Sequence, residues 1–549
     1  MSELDETKVR WEARWISGTG LFLGFVLFAA SLTPSLIPRA AWMQGVLGGT
    51  LFSIGYLVGV VAIATWAWFG LPLVKRRTQR IAGTIAALLG FALLAAALTK
   101  STDWQNAIRI LMGLPPLETS HPLTVSLVAL GTAALLFLLG WIFKLIFRLV
   151  ARALTRIIPE RVAVTAAIVI AILLFASAID GILISSTMRA VDAFYARLDS
   201  LIDPDTPAPT DPMVSGSPPS LVDWGELGAA GRQFVSGATP VADLEAFWGG
   251  AVTEPRRVYV GLGADDDPEV RAAIALDELI RVGGFDRKVL IVAVPTGTGF
   301  MDQGAIAPLE YLHRGDVATV AMQYSYLQSP FSLLFEPGYG TNTARALFRA
   351  IYDHWTELPH DARPELYLYG LSLGAFSSEQ SVRFYELLGD PYNGALWAGP
   401  PFPSPVHTAI TDERNDGTPA WLPRFEEGML VRFTNQTNAL DLPDAKWGPM
   451  RIVYLQYASD PIVFFSPDML WREPDWLKTP RGPDVAEEIR WYPIVTALQV
   501  AADMAVATTV PIGYGHEYSP ANYIDAWVAV TAPPIGPDEI ARVKAHFGE

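Results

Sequence analysis

Glu365-Leu-Tyr-Leu-Tyr-Gly370-Leu-Ser372-Leu-Gly374-Ala-Phe-Ser-Ser-Glu379 is an apolar run that stops at a G-x-S-x-G motif. A nucleophile elbow lifts a serine hydroxyl out at the end of a buried strand, so its backbone is strained and the flanking positions must be nearly free of side chain. Gly370 and Gly374 meet that demand around Ser372. Leu366 to Tyr369 read as a short buried strand, and Leu373 onward, with Ala375, Phe376, Gln380, Val382 and Phe384, reads as a helix. Strand, tight turn and helix come in the order an elbow needs. A bare G-x-S-x-G also fits a small-residue turn between two core elements, so the assignment rests on what surrounds it.

Around this stretch short apolar strands alternate with helices. Arg257 to Leu262, Val289 to Val294 and Val317 to Tyr324 read as strands, while Pro268 to Val282, Ile306 to His313 and Gly340 to Trp355 read as helices. This alternation predicts a doubly wound α/β domain, with a mostly parallel sheet covered on both faces and its site at the carboxyl ends of the strands.

After Val289 to Val294 comes Pro295-Thr-Gly-Thr-Gly-Phe300, a Gly-rich turn at the position of an oxyanion loop. The backbone N–H groups of Gly297 and Thr298 would act there beside that of Leu373. The turn lacks the G-K-[ST] ending that a phosphate-binding P-loop requires.

A triad on this fold runs in the order Ser, acid, His. Asp460 follows the apolar strand Ile452 to Tyr457 directly, and Asp468, farther from the strand end, is the second candidate. Only His516 and His546 lie beyond Asp460. His546 falls in a charged terminal helix, whereas His516 sits in the Gly-rich loop Pro511-Ile-Gly-Tyr-Gly-His516-Glu-Tyr. His516 is therefore read as the base.

The first third of the 549-residue chain is different in kind. Mean hydropathy is positive over the whole chain, and the apolar excess is concentrated here. Five apolar spans are read: Ile16 to Leu32, Met43 to Leu71, Ile81 to Leu98, Leu123 to Phe147 and Val162 to Leu183. Such runs suit a hydrocarbon core about 30 Å thick. Acidic residues before the first span, and further spans after it, argue for a retained anchor rather than a signal peptide. Lys8, Arg10 and Arg14, then Lys75, Arg76, Arg77 and Arg80, then Lys144, Arg148, Arg152, Arg156 and Arg161 mark the tail and the even loops as cytoplasmic. The odd span count then places the amino terminus inside and everything after span five outside the membrane. Asp180 near the end of span five is expected to reach the interface, and no row of ionisable residues marks a transport path. Gly45, Gly48, Gly49, Ser53, Gly55 and Gly59 in span two suit close helix packing.

The Pro-rich stretch Asp203 to Ser220 reads as a linker or a loop laid on a surface. The expected organisation is a transmembrane helical domain at 1–185, a connecting segment at 186–250 and a catalytic domain at 251–549. The absence of cysteine excludes disulfides, thiol nucleophiles and cysteine-ligated zinc, and neither cofactor nor metal is expected. The net charge of −16, with the basic residues gathered at the membrane, argues against nucleic acid as a partner.

Val294-Pro-Thr-Gly-Thr-Gly-Phe300, Tyr369-Gly-Leu-Ser-Leu-Gly-Ala-Phe376, Trp397-Ala-Gly-Pro-Pro-Phe402, Tyr454-Leu-Gln-Tyr-Ala-Ser-Asp-Pro461 and Gly513-Tyr-Gly-His516 together resemble a bacterial α/β-hydrolase family of membrane lipases with a multi-span amino-terminal domain. The resemblance covers most of residues 251 to 530. It implies a lipase or esterase acting at the outer face of the membrane through Ser372, His516 and Asp460, with a lipid or other apolar ester as substrate and the bilayer as its support. Acyl transfer at the same site and a non-catalytic assembly role are the competing functions. Oligomeric state is left open. The aromatic-rich insertions Tyr324 to Phe335 and Phe464 to Leu477 are expected near the site, as an acyl pocket, a lid or a membrane-facing rim.

Overall fold

Val289–Val294 (β2) and Val317–Met322 (β3) are six-residue runs of mostly β-branched and small apolar residues, and every residue in them is buried. Strands covered on both faces read as continuous apolar runs rather than alternations, and these behave so. The structure is a computed structural model that describes residues 17–72, 76–178, 181, 194–201, 206–327, 337–383 and 388–548. It divides into two compact units.

In the larger unit β2 and β3 join Arg256–Val260 (β1), Glu365–Leu371 (β4), Gly394–Ala398 (β5), Val431–Thr434 (β6) and Arg451–Leu455 (β7). Among the described residues they form one sheet in the order β1-β3-β2-β4-β5-β7-β6, with every pairing parallel. From β2 the chain turns to one side for β3, and from β4 to the other side for β5. The carboxyl ends of β2 and β4 therefore flank a topological switch point, the place where open α/β sheets form sites. The helices Pro268–Arg281 and Pro337–Glu357 pack together, and Gln303–Leu312 packs with Pro520–Thr531. The doubly wound, parallel α/β architecture read from the alternation is the one observed. The elbow helix, expected to run on past Gln380, is only Leu373–Ser378.

From residue 206 on, the Pro-rich stretch is laid against the sheet domain rather than running as a free tether. The Ser215 and Ser220 hydroxyls and the Leu221 amide all donate to the Glu278 carboxylate on the helix Pro268–Arg281, at 2.8, 2.8 and 3.0 Å.

The smaller unit holds Gly18–Ser31 (α1), Ala41–Trp68 (α2), Arg76–Leu111 (α3), Pro122–Leu154 (α4) and Glu160–Ala178 (α5). Four helices, α2 to α5, are long and apolar enough to cross a membrane among the described residues. Leu57, Leu88, Leu130 and Leu173 on them are exposed, as a lipid-facing surface requires. The expected first span differs: α1 has 14 residues, about 21 Å at 1.5 Å per residue, which falls short of the hydrocarbon core. The expected third span runs on through Thr99–Leu111, because polar residues there find partners. Ser101 and Thr102 bond to Ser120, and Asn106 bonds to Leu117. The amino-terminal basic cluster and Asp180 lie outside the described residues.

The glycines of α2 divide between two neighbours. A Cβ on Gly48 would meet Phe28 of α1 at 2.2 Å, and one on Gly55 would meet the Leu23 carbonyl at 2.5 Å. Gly45 and Gly49 face Val128 and Ala129 of α4 instead. The close approach of backbones that small residues permit is the attraction available between helices in lipid.

This unit also contains Pro467–Leu477 and Ala486–Val506 from the carboxyl-terminal half, which the sequence reading assigns to the catalytic domain. Val495 joins Leu47 and Leu51 in one apolar cluster. Gln499 donates to the Ser31 and Thr33 carbonyls. The Arg39 and Asp503 side chains pair at 3.0 Å, both fully buried. These contacts fall at the end of the bundle where α1 stops and α2 begins. The α3 carboxyl end is there too, since Gln105 accepts the Arg39 amide. The carboxyl end of α2, the start of α3 and the carboxyl end of α4 lie toward the opposite end, where a Cβ on Gly18 at the head of α1 would meet Gly83 at 2.4 Å and Tyr56 packs on Phe137.

Candidate active site

Ser372 stands at the carboxyl end of β4 with φ 56° and ψ −123°, a conformation L-residues rarely adopt. The strain is held from several sides. Ser372 donates its amide to the Ala398 carbonyl at the end of β5, at 2.9 Å. A Cβ on Gly370 would come within 2.4 Å of Gly374, and one on Gly374 within 2.1 Å of the Val294 carbonyl that ends β2. The two motif glycines are thus required by close approach, and they press the elbow against the start of the loop 295–300.

That loop is a tight turn. Thr296 donates its amide to the Phe300 carbonyl and Gly299 donates to Thr296, at 3.1 and 2.9 Å, while the Tyr259 hydroxyl bonds the Gly299 carbonyl at 2.8 Å. Thr298, between them, donates its amide to no group among the described residues. Leu373, the first residue of the elbow helix, has an amide of the kind that helix geometry leaves without an intrahelical acceptor. The next turn begins at Asp302, whose carboxylate caps the helix Gln303–Leu312 through the Gly304 amide. Burial pushes the Asp302 carboxyl up, opposed by that bond, by Tyr523 and by His516 nearby.

Asp460 and His516 are brought together. Asp460 follows β7 and caps the short helix Pro461–Phe464, with Oδ1 accepting the Ile462 amide at 2.8 Å. Its Oδ2 faces His516 Nδ1 at 2.6 Å and accepts the Tyr518 hydroxyl at 2.7 Å. Asp460 is fully buried. Tyr518 stays a neutral donor, because burial first and the neighbouring Asp460 second push its hydroxyl far above the usual tyrosine range. His516 Nε2 is buried and has no hydrogen-bond partner among the described residues. The imidazole lies against Gly399, the residue after the Ala398 that accepts the Ser372 amide. Gly399 has φ 52°, and a Cβ there would lie 2.6 Å from His516 Cε1, so only glycine lets the ring settle over β5.

The alternatives are placed elsewhere. Asp468 is exposed in a short 3-10 turn, Pro467–Leu470, which belongs to the helical unit. His546 packs its ring against Tyr311, Phe247 and Phe547 as part of the core edge. Of the aromatic insertions, the first is described only to Leu327. In the second, Phe465 packs against Phe402 with ring centres 4.8 Å apart, and from Pro467 onward it belongs to the helical unit. Sequence reasoning had no reason to single out Tyr518 or Gly399. Both stand inside quoted motifs, two residues past the histidine and two before Pro401, but their partners, Asp460 and His516, come from loops distant in sequence.

Residues 256–543 match the profile of an alpha/beta-hydrolase family, and residues 32–239 match that of the alpha/beta-hydrolase family N-terminus. No curated protein and no solved structure matches the chain.

Proposed function

Because the chain belongs to this alpha/beta-hydrolase family over both of its parts, we propose that it is a membrane-anchored serine hydrolase that cleaves carboxylic esters. The observation that carries the reading is the buried Asp460–His516 pair at 2.6 Å, whose far imidazole nitrogen has no partner among the described residues, in a chain whose strained Ser372 ends β4. An imidazole held by a carboxylate at Nδ1 has its Nε2 ready to accept a proton.

In the first half-reaction Ser372 Oγ bonds to the ester carbonyl carbon while His516 Nε2 takes the hydroxyl proton. Asp460 holds the imidazole tautomer and stabilises its positive charge. The Leu373 amide and that of Gly297 or Thr298 hold the oxyanion, each worth about 3 kcal/mol of barrier. Collapse breaks the C–O bond, and His516 hands the proton to the leaving alcohol. Water then attacks the acyl-enzyme, gives a proton to His516 and releases the acid, and Ser372 recovers its proton.

The helical unit supports a lipid or similarly apolar ester as substrate and the membrane as location. It also supports an extracytoplasmic catalytic domain. The segment Ala486–Val506 joins the bundle at the α1–α2 end, while Arg77 and Arg80 at the start of α3 and Arg152 at the end of α4 lie toward the other end, which the positive-inside rule assigns to the cytoplasm. Four crossings, α2 to α5, begin and finish on the same side. Whether the short α1 crosses bears only on the amino terminus.

A fluorophosphonate probe should label the purified full-length protein, and Ser372→Ala should abolish both labelling and ester hydrolysis. Hydrolysis above a trace in purified, folded Ser372→Ala protein would sink the serine mechanism.

A further inference from the structure

Asp484 is a buried carboxylate that the triad chemistry does not use, carried on the short stretch Lys478–Val485. Its Oδ2 accepts three hydrogen bonds: from the Ser459 amide at 3.0 Å, from the Ser459 hydroxyl at 2.6 Å and from Gln436 Nε2 at 2.7 Å. With its proton committed to Asp484, the Ser459 hydroxyl turns its lone pairs to the Gly515 amide, which donates to it at 2.9 Å. Gln436 Nε2 also donates to the Gly513 carbonyl at 3.1 Å. Ser459 precedes Asp460 and Gly515 precedes His516. Two hydrogen-bonded routes therefore run from one carboxylate oxygen to the loops of the acid and the base. The stretch is also seated there by packing, since a Cβ on Gly482 would come within 2.1 Å of Ala458 Cβ.

We propose that Asp484 is a positioning residue, which through Ser459 and Gln436 locks the Asp460 loop and the His516 loop into one register. The Asp460–His516 bond fixes a distance but not the tilt of the ring. The loop carrying His516 has Gly513 at φ 95° and Gly515 at φ 55°, and glycines leave such a loop free to take other paths. Bonds to the Gly513 carbonyl and the Gly515 amide remove that freedom on the two residues where it is greatest. Misplacing the imidazole by about an ångström costs on the order of a hundredfold in rate. The role in turnover rests on the serine-hydrolase reading, whereas the registration of the two loops does not.

The geometry supplies a discriminating pair of variants. Asp484 Oδ1 has no hydrogen-bond partner among the described residues, so Asp484→Asn can keep its oxygen where Oδ2 stands and retain all three bonds. Asp484→Ala removes them. Ser459→Ala removes only the hydroxyl bridge and tests the same lock with minimal damage to folding. The full-length protein in detergent micelles is compared by two readouts: kcat and KM on a short soluble ester, and the far-downfield proton resonance of the His516 Nδ1–H bond to Asp460. Asp484→Ala and Ser459→Ala should each lower kcat by about a hundredfold with little change in KM. Both should also shift or lose the resonance, and Asp484→Asn should restore most of each. The double variant should be little worse than Asp484→Ala, because the two residues act in one chain of bonds. An unmoved resonance with kcat no more than about twofold lower in either Ala variant would overturn the proposal. If the resonance responds as expected but Ser372 neither labels nor supports hydrolysis, the positioning role stands and the serine mechanism fails.

Discussion

The Tyr518 hydroxyl and His516 Nδ1 meet the same oxygen of Asp460, at 2.7 and 2.6 Å. That oxygen is therefore the acceptor of two donors, and an amide in its place could serve them only by turning. Asp460→Asn is expected to lower kcat by about four orders of magnitude by admitting the wrong imidazole tautomer. Tyr518→Phe keeps the carboxylate and its histidine bond and should cost far less. Asp468→Asn should be near wild type, since that carboxyl is exposed and belongs to the other unit. Steady-state kinetics on the three proteins decide the acid, and a larger loss at Asp468 than at Asp460 would reassign it.

The parts of this site that obey local rules were legible in the chain. Gly370 and Gly374 flank Ser372 because the turn itself demands it, and Asp460 and His516 follow in the order the fold imposes. What pairs across the sheet was not legible. Gly399 looks like any glycine before two prolines until the His516 ring is laid against it, and Ser459 looks like a turn residue until Asp484 is found beneath it. The amino-terminal helices show the same division. Their apolar length is written in sequence, but the burial of Arg39 depends on Asp503, a partner supplied from the far end of the chain.

Burial holds the Glu379 carboxyl, on the turn that ends the elbow helix, up at about 7 from an ordinary 4.5, despite bonds from the Tyr454 hydroxyl and the Val406 amide. The folded state thus binds more protons than the unfolded chain between these values. Stability from this group is fully present below about pH 4.5 and is lost as pH rises through about 7. The loss is on the order of 3 kcal/mol. Glu379→Gln should therefore melt higher than wild type at pH 8, with the difference vanishing near pH 4.5. His407, pushed down to about 4 by burial, titrates with the opposite sign, but it is common to both proteins and cancels in the comparison. Equal melting temperatures at pH 8 would contradict the buried-carboxyl account.

The proposed orientation makes a separate prediction. A reporter active only in the cytoplasm should be silent when fused after Glu549 and active when fused in the basic connection between α2 and α3. A fusion at the amino terminus then reads whether the 14-residue α1 crosses at all. Activity after Glu549 would place the hydrolase domain inside the cell and reverse the assignment.

The last prediction concerns what happens when the amino-terminal helices are removed. A chain beginning near Val252 keeps every residue of the proposed triad and the whole sheet, which suggests at first that it should hydrolyse soluble esters alone. The packing of Ala486–Val506 argues otherwise. Val495 would lose Leu47 and Leu51, Gln499 would lose the Ser31 and Thr33 carbonyls, and Asp503 would lose Arg39. Removing one member of a buried ion pair alone costs about 3–5 kcal/mol, a large share of a domain's stability. The truncated chain should therefore be insoluble or unfolded, as judged by size-exclusion chromatography and near-ultraviolet circular dichroism. In the full-length protein, Asp503→Ala should lower the melting temperature strongly. Arg39→Met combined with Asp503→Leu, which replaces the pair by apolar groups of similar size, should recover much of the loss. A soluble, folded and active chain starting near Val252 would show that the segment finds other partners without the helices.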